Sequence, residues 1–189
     1  MPRPRSDGRF DRSAWLRAAL NVLALEGQAR LNVDQLAGKL GVSKGSFYYH
    51  FSNRQDFVQK LLAFWEEEFT QKQLRALAAN KAPAHERLFQ IAIRIEHEQL
   101  NKFDTAFRSW AAQDMSVAKV VRRVDAVRFE AIKAIFAEIG FVGVDLIERT
   151  RIFFLFHSSL GVVHVPDESP ITDDLIRERV RLFTQSRGA

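Results

Sequence analysis

The chain has 189 residues, is 47% hydrophobic and 27% charged, and contains no cysteine, which is enough chain for its own core and the balance of a globular protein rather than a disordered or fibrous one. The missing thiol excludes a disulfide framework, a thiolate zinc site and a cysteine nucleophile, and points to the cytoplasm. The net charge of +5 is uneven: residues 1–60 hold ten Lys/Arg against five acids while the rest of the chain balances, so a polyanion contact is expected near the N-terminus.

The opening stretch, with Arg3, Arg5, Arg9 and Arg12, is basic without the apolar run of a signal peptide, so export is not expected and the arm is a candidate for following a nucleic-acid backbone or minor groove. From Asp11 onward Trp15, Leu16, Ala19, Leu20, Leu23 and Ala24 recur at three- and four-residue spacing, predicting a first helix over 11–26 that Gly27 ends. Asn32 is placed to cap a second helix over 33–40, with Gln35 to complete a capping box. Gly41-Val42 is a turn, Ser43 caps a third helix over 44–50, and Arg54-Gln55-Asp56 opens a fourth that runs to about Asn80. Pro83 starts a fifth helix over 83–101, and a sixth follows over 103–113. Val117 through Ile139 mark a seventh helix that Gly140 closes.

The eighth helix, over 144–164, is apolar around most of its circumference through Ile152-Phe153-Phe154-Leu155-Phe156. Such a helix must be covered on nearly every side. Its apolar stretch falls short of the roughly 20 residues that span a bilayer, so no membrane association is expected. The ninth, over 172–186, is amphipathic. The pattern is all-α with about nine helices, and it divides into an N-terminal three-helix unit, 1–53, and a larger helical bundle, 54–189.

Residues 33–51, VDQLAGKLGVSKGSFYYHF, have the punctuation of a helix-turn-helix. Leu36 and Leu40 point from the second helix into a small core, Ala37 is small where the next helix crosses, and Gly41 permits the turn. Phe47 and Phe51, four apart, anchor the third helix by its inner face. Tyr48, Tyr49 and His50 are consecutive, so a 3.6-residue period cannot turn all three inward. Hydrogen-bonding and cationic groups on the outer face of such a helix suit the DNA major groove.

The run GVSKGSFYYHF followed by SNRQDFV resembles the tetracycline-repressor (TetR) family of bacterial transcription regulators, closely over residues 11–62 and in outline beyond. The resemblance implies that Lys44, Gly45, Ser46, Tyr48, Tyr49 and His50 touch DNA, with Ser43 at the head of the helix. It further implies that Arg54 stands where a lysine commonly meets phosphate. Asn32, from its own position, reads as a cap first and a phosphate contact second. The resemblance also implies that the larger domain binds a small-molecule effector and forms a homodimer on a pseudo-palindromic double-stranded operator.

Sixteen phenylalanines suggest an apolar or aromatic effector, and the pocket candidates are Phe64, Phe89, Phe103, Phe107, Trp110, Phe129, Phe153 and His157. The last two helices carry more apolar surface than one amphipathic body needs, which puts Ile152, Phe156, Leu160, Leu175, Ile176, Val180 and Phe183 forward for a dimer face. Catalytic patterns are missing: His85-Glu86 and His97-Glu98 lack a second histidine at the zinc-protease spacing, and neither a phosphate-cradling loop nor a Gly-x-Ser-x-Gly elbow occurs. No enzyme, metal or cofactor is expected. The competing reading is a helical protein-interaction module with a vestigial helix-turn-helix, against which the basic N-terminal third and Lys44, Tyr49 and Arg54 argue.

Overall fold

The computed structural model describes residues 11–166 and 170–185. Among these every regular element is helical: α1 (Arg12–Glu26), a 3-10 turn (Gln28–Arg30), α2 (Val33–Leu40), α3 (Lys44–His50), α4 (Arg54–Glu66), a π turn (Glu67–Gln71), α5 (Lys72–Ala79), α6 (Ala84–His97), α7 (Asn101–Ala111), α8 (Met115–Ile139), α9 (Gly143–Ser159) and α10 (Asp173–Thr184). None of the described helices is long and apolar enough to cross a membrane. Arg3, Arg5 and Arg9 of the basic arm, and the last residue of the expected ninth helix, lie outside the described residues.

Local chemistry explains half of the ten α-helix starts among the described residues. The side chains of Asp11, Asn32, Asn53, Asp114 and Thr172 each accept a hydrogen bond from a backbone N–H of the first turn, satisfying donors that the helix itself cannot. The capping box expected at Asn32 does not close. Gln35 donates its side-chain amide to Glu26, and the Asn32 N–H bonds the Arg30 carbonyl at 2.9 Å. Ser43 occupies the N-cap of α3 without a side-chain cap bond. Gly41 ends α2 at φ +67, a left-handed conformation that glycine adopts without strain.

Three boundaries differ from the periodicity. The expected long fourth helix is α4 and α5 joined through the π turn, with Glu66, Glu67, Gln71 and Lys72 all right-handed helical, so the rod continues with one wider turn inside it. The expected fifth helix stops at His97, because Gln99 takes φ +47, and α7 begins at Asn101. The expected eighth helix stops at Ser159, since Leu160 is extended and Gly161 is left-handed at φ +73. Asn101 donates to the Leu160 carbonyl there, and a Cβ at Gly161 would stand 3.2 Å from the Asn101 amide nitrogen.

Two apolar clusters hold the bundle. The first joins Trp15, Leu20, Leu36, Phe47, Phe51 and Phe57 to Trp65, Phe107, Val117 and Val124; the second joins Leu88, Phe89, Ile132, Phe136, Phe153, Ile176 and Val180. α8 serves both, with Val117, Val121 and Val124 in one and Ile132, Ile135 and Phe136 in the other. At 25 residues it is about 37 Å long. The helix-turn-helix and the body therefore share a continuous core through α1, α4, α7 and α8.

Candidate nucleic-acid interface and interior cavity

α3 is seven residues long, too short to persist alone, and its inner face is what fixes it. Phe47 is 1% exposed, and its ring lies 4.8–5.4 Å from the rings of Trp15, Phe51 and Phe57. With Phe47 and Phe51 pinned, rotation of the helix is set. Tyr48 is 61% and Tyr49 86% exposed, an unusual state for two large aromatics on a well-packed surface. Ser43, Lys44 and Gly45 are exposed beside them, and Ser46 and His50 are half-buried. His50 meets the Tyr49 ring edge-on at 5.0 Å.

Lys44 pairs with Asp34 of α2, and that hydrogen bond holds its ammonium above the ordinary lysine range. Both partners are mostly in solvent, so the pair is weak and open to exchange. Arg54, the first residue of α4, is exposed and donates from Nη1 to the Leu31 carbonyl at 3.2 Å, tying the start of α4 to the loop before α2. One such bond leaves most of its five N–H donors uncommitted. Asn32 spends its side-chain oxygen on the Gln35 N–H at 2.9 Å. Lys60 reaches back to Asp56 at 2.8 Å and to the His50 carbonyl at 3.4 Å, and the Asp56 carboxylate is held below its usual range by Lys60 and by the Ser52 N–H.

A cavity of about 300 Å³ opens within the body, between the π turn, α5, α6, α7, α8 and α9, a volume at the lower end for small-molecule sites. Its walls are apolar at Phe69, Leu77, Ile91, Ile95, Ile132 and Phe154 and polar at Thr70, Gln73, Arg94, Asn101, Asp104, Arg128 and His157. Of the eight expected pocket residues His157 lines it. Phe107, Trp110 and Phe153 are buried in the two clusters, Phe89 lies in the second beneath the Arg177 guanidinium, and Phe64 packs on the first. Phe103 and Phe129 stand behind the wall, against Phe69 and Phe154.

The polar wall is organised by Arg128. It donates from Nε to the Thr70 hydroxyl at 2.9 Å, from Nη1 to Asp104 at 2.5 Å and from Nη2 to the Phe69 carbonyl at 3.0 Å. Asp104 accepts in addition from the Trp65 indole at 3.0 Å. A π turn breaks the regular i to i+4 ladder, and Arg128 supplies a donor within it. Arg128 had a signal in the sequence, because it interrupts the inward stripe Val124, Arg128, Ile132. Asp104 and Thr70 had weaker ones, since a polar residue on a helix is by default assigned to solvent.

On the last two helices Ile152, Leu155, Leu175 and Leu182 are exposed and Phe156 and Phe183 half-buried, as is Leu160 just past the end of α9. Ile176 and Val180 are buried in the second cluster; they face this chain's own core rather than outward. Leu155 and Leu182 were not among the expected face residues, although each lies three or seven residues from one that was.

Residues 16–61 match the family profile described as bacterial regulatory proteins, tetR family. Over that segment the chain is similar to the TetR family of bacterial regulators. Its relatives include the transcriptional regulator AcuR of Cereibacter sphaeroides, 33% identical over 68 residues that make up 36% of this chain and 31% of AcuR. The matched segments span between 22% and 43% of the curated relatives' lengths. Among solved structures, AibR in complex with isovaleryl coenzyme A and operator DNA superposes with a TM-score of 0.68 at 15% identity, covering 92% of this chain and 97% of AibR. A transcriptional regulator from Saccharomonospora viridis in complex with choline superposes with a TM-score of 0.68 at 17% identity, covering 89% and 92%. At these identities the superpositions establish a shared fold.

Proposed function

We propose that this chain is a non-enzymatic, cytoplasmic, sequence-specific DNA-binding regulator of the TetR family that acts as a homodimer and represses until a small molecule occupies its interior cavity. Residues 1–53 read DNA, and residues 54–189 bind the effector and dimerise. The observation that carries this reading is Tyr48 and Tyr49 standing in solvent on a helix whose opposite face is locked by Phe47 and Phe51. Lys44, Gly45, Ser46 and His50 share that outer surface or its edge, and Arg54 flanks it at the start of α4 where a phosphate can meet its remaining donors. The complex of AibR with operator DNA and an acyl coenzyme A supports the two-site arrangement by likeness of fold.

Dimerisation is served by the exposed apolar residues of α9 and α10, Ile152, Leu155, Leu175 and Leu182, which would otherwise be a costly patch on a monomer. Two copies related by a two-fold axis present two α3 helices to an inverted repeat. Effector in the cavity touches the π turn, and α4 runs from there to Arg54. A ligand that fits only one setting of α4 shifts the dimer toward that setting, by no more than its differential affinity for the two states.

The test separates base reading from phosphate contact. Tyr49→Ala is expected to weaken binding to the selected operator by about tenfold or more while leaving binding to unrelated duplex unchanged. Arg54→Gln is expected to weaken both alike and to lower the slope of log affinity against log salt by about one. Fluorescence anisotropy titrations between low and moderate salt read both. Unchanged operator affinity in Tyr49→Ala, with the fold intact by circular dichroism, contradicts the assignment of α3.

A further inference from the structure

Resting on the reading of the interior cavity as the effector site, we propose that it selects a small, uncharged, mainly apolar molecule that donates one hydrogen bond, from a hydroxyl or an N–H, to Nε2 of His157. His157 is 4% exposed and is one of the residues that line the cavity, and its ring is packed between Phe153 at 4.1 Å and Phe156 at 5.1 Å. Its Nδ1 lies 2.8 Å from the Phe153 carbonyl one turn back in α9. A carbonyl can only accept, so Nδ1 carries the proton and the neutral ring presents a bare lone pair at Nε2. That atom is buried and has no partner in the protein. The other buried side-chain atoms in this condition among the described residues are Trp15 Nε1 and Arg87 Nε; both are donors, and neither residue borders the cavity.

The remaining polar groups narrow the ligand further. Burial pushes the His157 pKa down to about 4, so at neutral pH on the order of one ring in a thousand is protonated, and Nε2 is an acceptor. A carboxylate would set lone pair against lone pair. The two guanidiniums of the wall are already engaged, Arg128 by Asp104, Thr70 and the Phe69 carbonyl, and Arg94 by Glu98 and Gln73. A buried acceptor needs a donor, from solvent or from a ligand. An apolar molecule that expels solvent without replacing that bond leaves Nε2 unsatisfied, and one that carries a donor does not.

Three probes of one shape test this on the full chain by calorimetry at pH 7: 2-naphthol, which donates; 2-methoxynaphthalene, which does not; and 2-naphthoate, which is charged. Each is measured against the unchanged chain and His157→Phe, with the ¹⁵N shifts of the His157 ring followed in the unchanged chain. The expected result is that 2-naphthol binds at least about tenfold more tightly than 2-methoxynaphthalene, that 2-naphthoate binds weakest, and that the Nε2 resonance moves when 2-naphthol is added. In His157→Phe the advantage of 2-naphthol disappears. Equal binding of 2-naphthol and 2-methoxynaphthalene, or tightest binding of 2-naphthoate, overturns the donor assignment and leaves the cavity as an effector site. Binding by none of the three, with the His157 resonances unmoved, overturns the cavity reading along with it. The comparison within the unchanged chain stands even if the variant fails to fold.

Discussion

Phe47→Ala is expected to lower stability by about 3–5 kcal/mol and to abolish operator binding. The ring is 1% exposed and sits among Trp15, Phe51 and Phe57, so truncation leaves a cavity that three stiff aromatics cannot collapse into. The consequence for function follows from the length of α3. Seven residues do not hold a helix without tertiary contacts, and Phe47 and Phe51 are its deep anchors. Loss of one frees the rotation that presents Tyr48 and Tyr49 and turns a fixed reading surface into an ensemble. Urea unfolding gives the stability change, and amide exchange over residues 44–50 reports the helix. A loss under about 1 kcal/mol with protected α3 amides contradicts this packing account.

Arg128→Met is expected to cost about 2–4 kcal/mol, less than a fully buried ion would because the guanidinium and Asp104 retain some solvent contact. Methionine keeps the length of the side chain but leaves the Asp104 carboxylate with the Trp65 indole as its remaining bond, and the Phe69 carbonyl and Thr70 hydroxyl without a donor from α8. Adding Asp104→Leu removes the stranded carboxylate. The double variant should therefore recover part of the stability of the single one, and the thermodynamic cycle should show coupling of about 1 kcal/mol or more. Strictly additive losses contradict a network through Asp104. Since the same residues form the wall between the π turn and the cavity, the single variant should also weaken the release of DNA by effector.

How much of this was legible in the chain depends on whether the signal is local. The cap at Asn32, the glycine turn at Gly41 and the inner pair Phe47 and Phe51 all act within a few residues of themselves, and α2 and α3 have the bounds expected from the sequence. The breaks that were missed depend on partners far along the chain. Gln99 turns left-handed without a glycine, the stop after Ser159 is fixed by Asn101 across 59 residues, and the π turn contains no proline or glycine at all. The cavity was least legible, because phenylalanines at helical spacing pack on one another before they line anything. Phe107, Trp110 and Phe153 are core, and the wall is made by other apolar residues, Phe69 and Phe154 among them, together with Thr70, Asn101, Asp104 and Arg128. Of the eight expected pocket residues, His157 is the one that lines the cavity.

Incubation of the purified full chain with fragmented genomic DNA at moderate salt, followed by sequencing of the bound duplexes, tests the central claim most directly. Recovery of one inverted repeat, with half-sites about one helical turn or a multiple of it apart, is the result predicted for two α3 helices held by a two-fold axis. Recovery of fragments with no shared sequence, from protein that is folded and dimeric, would contradict it.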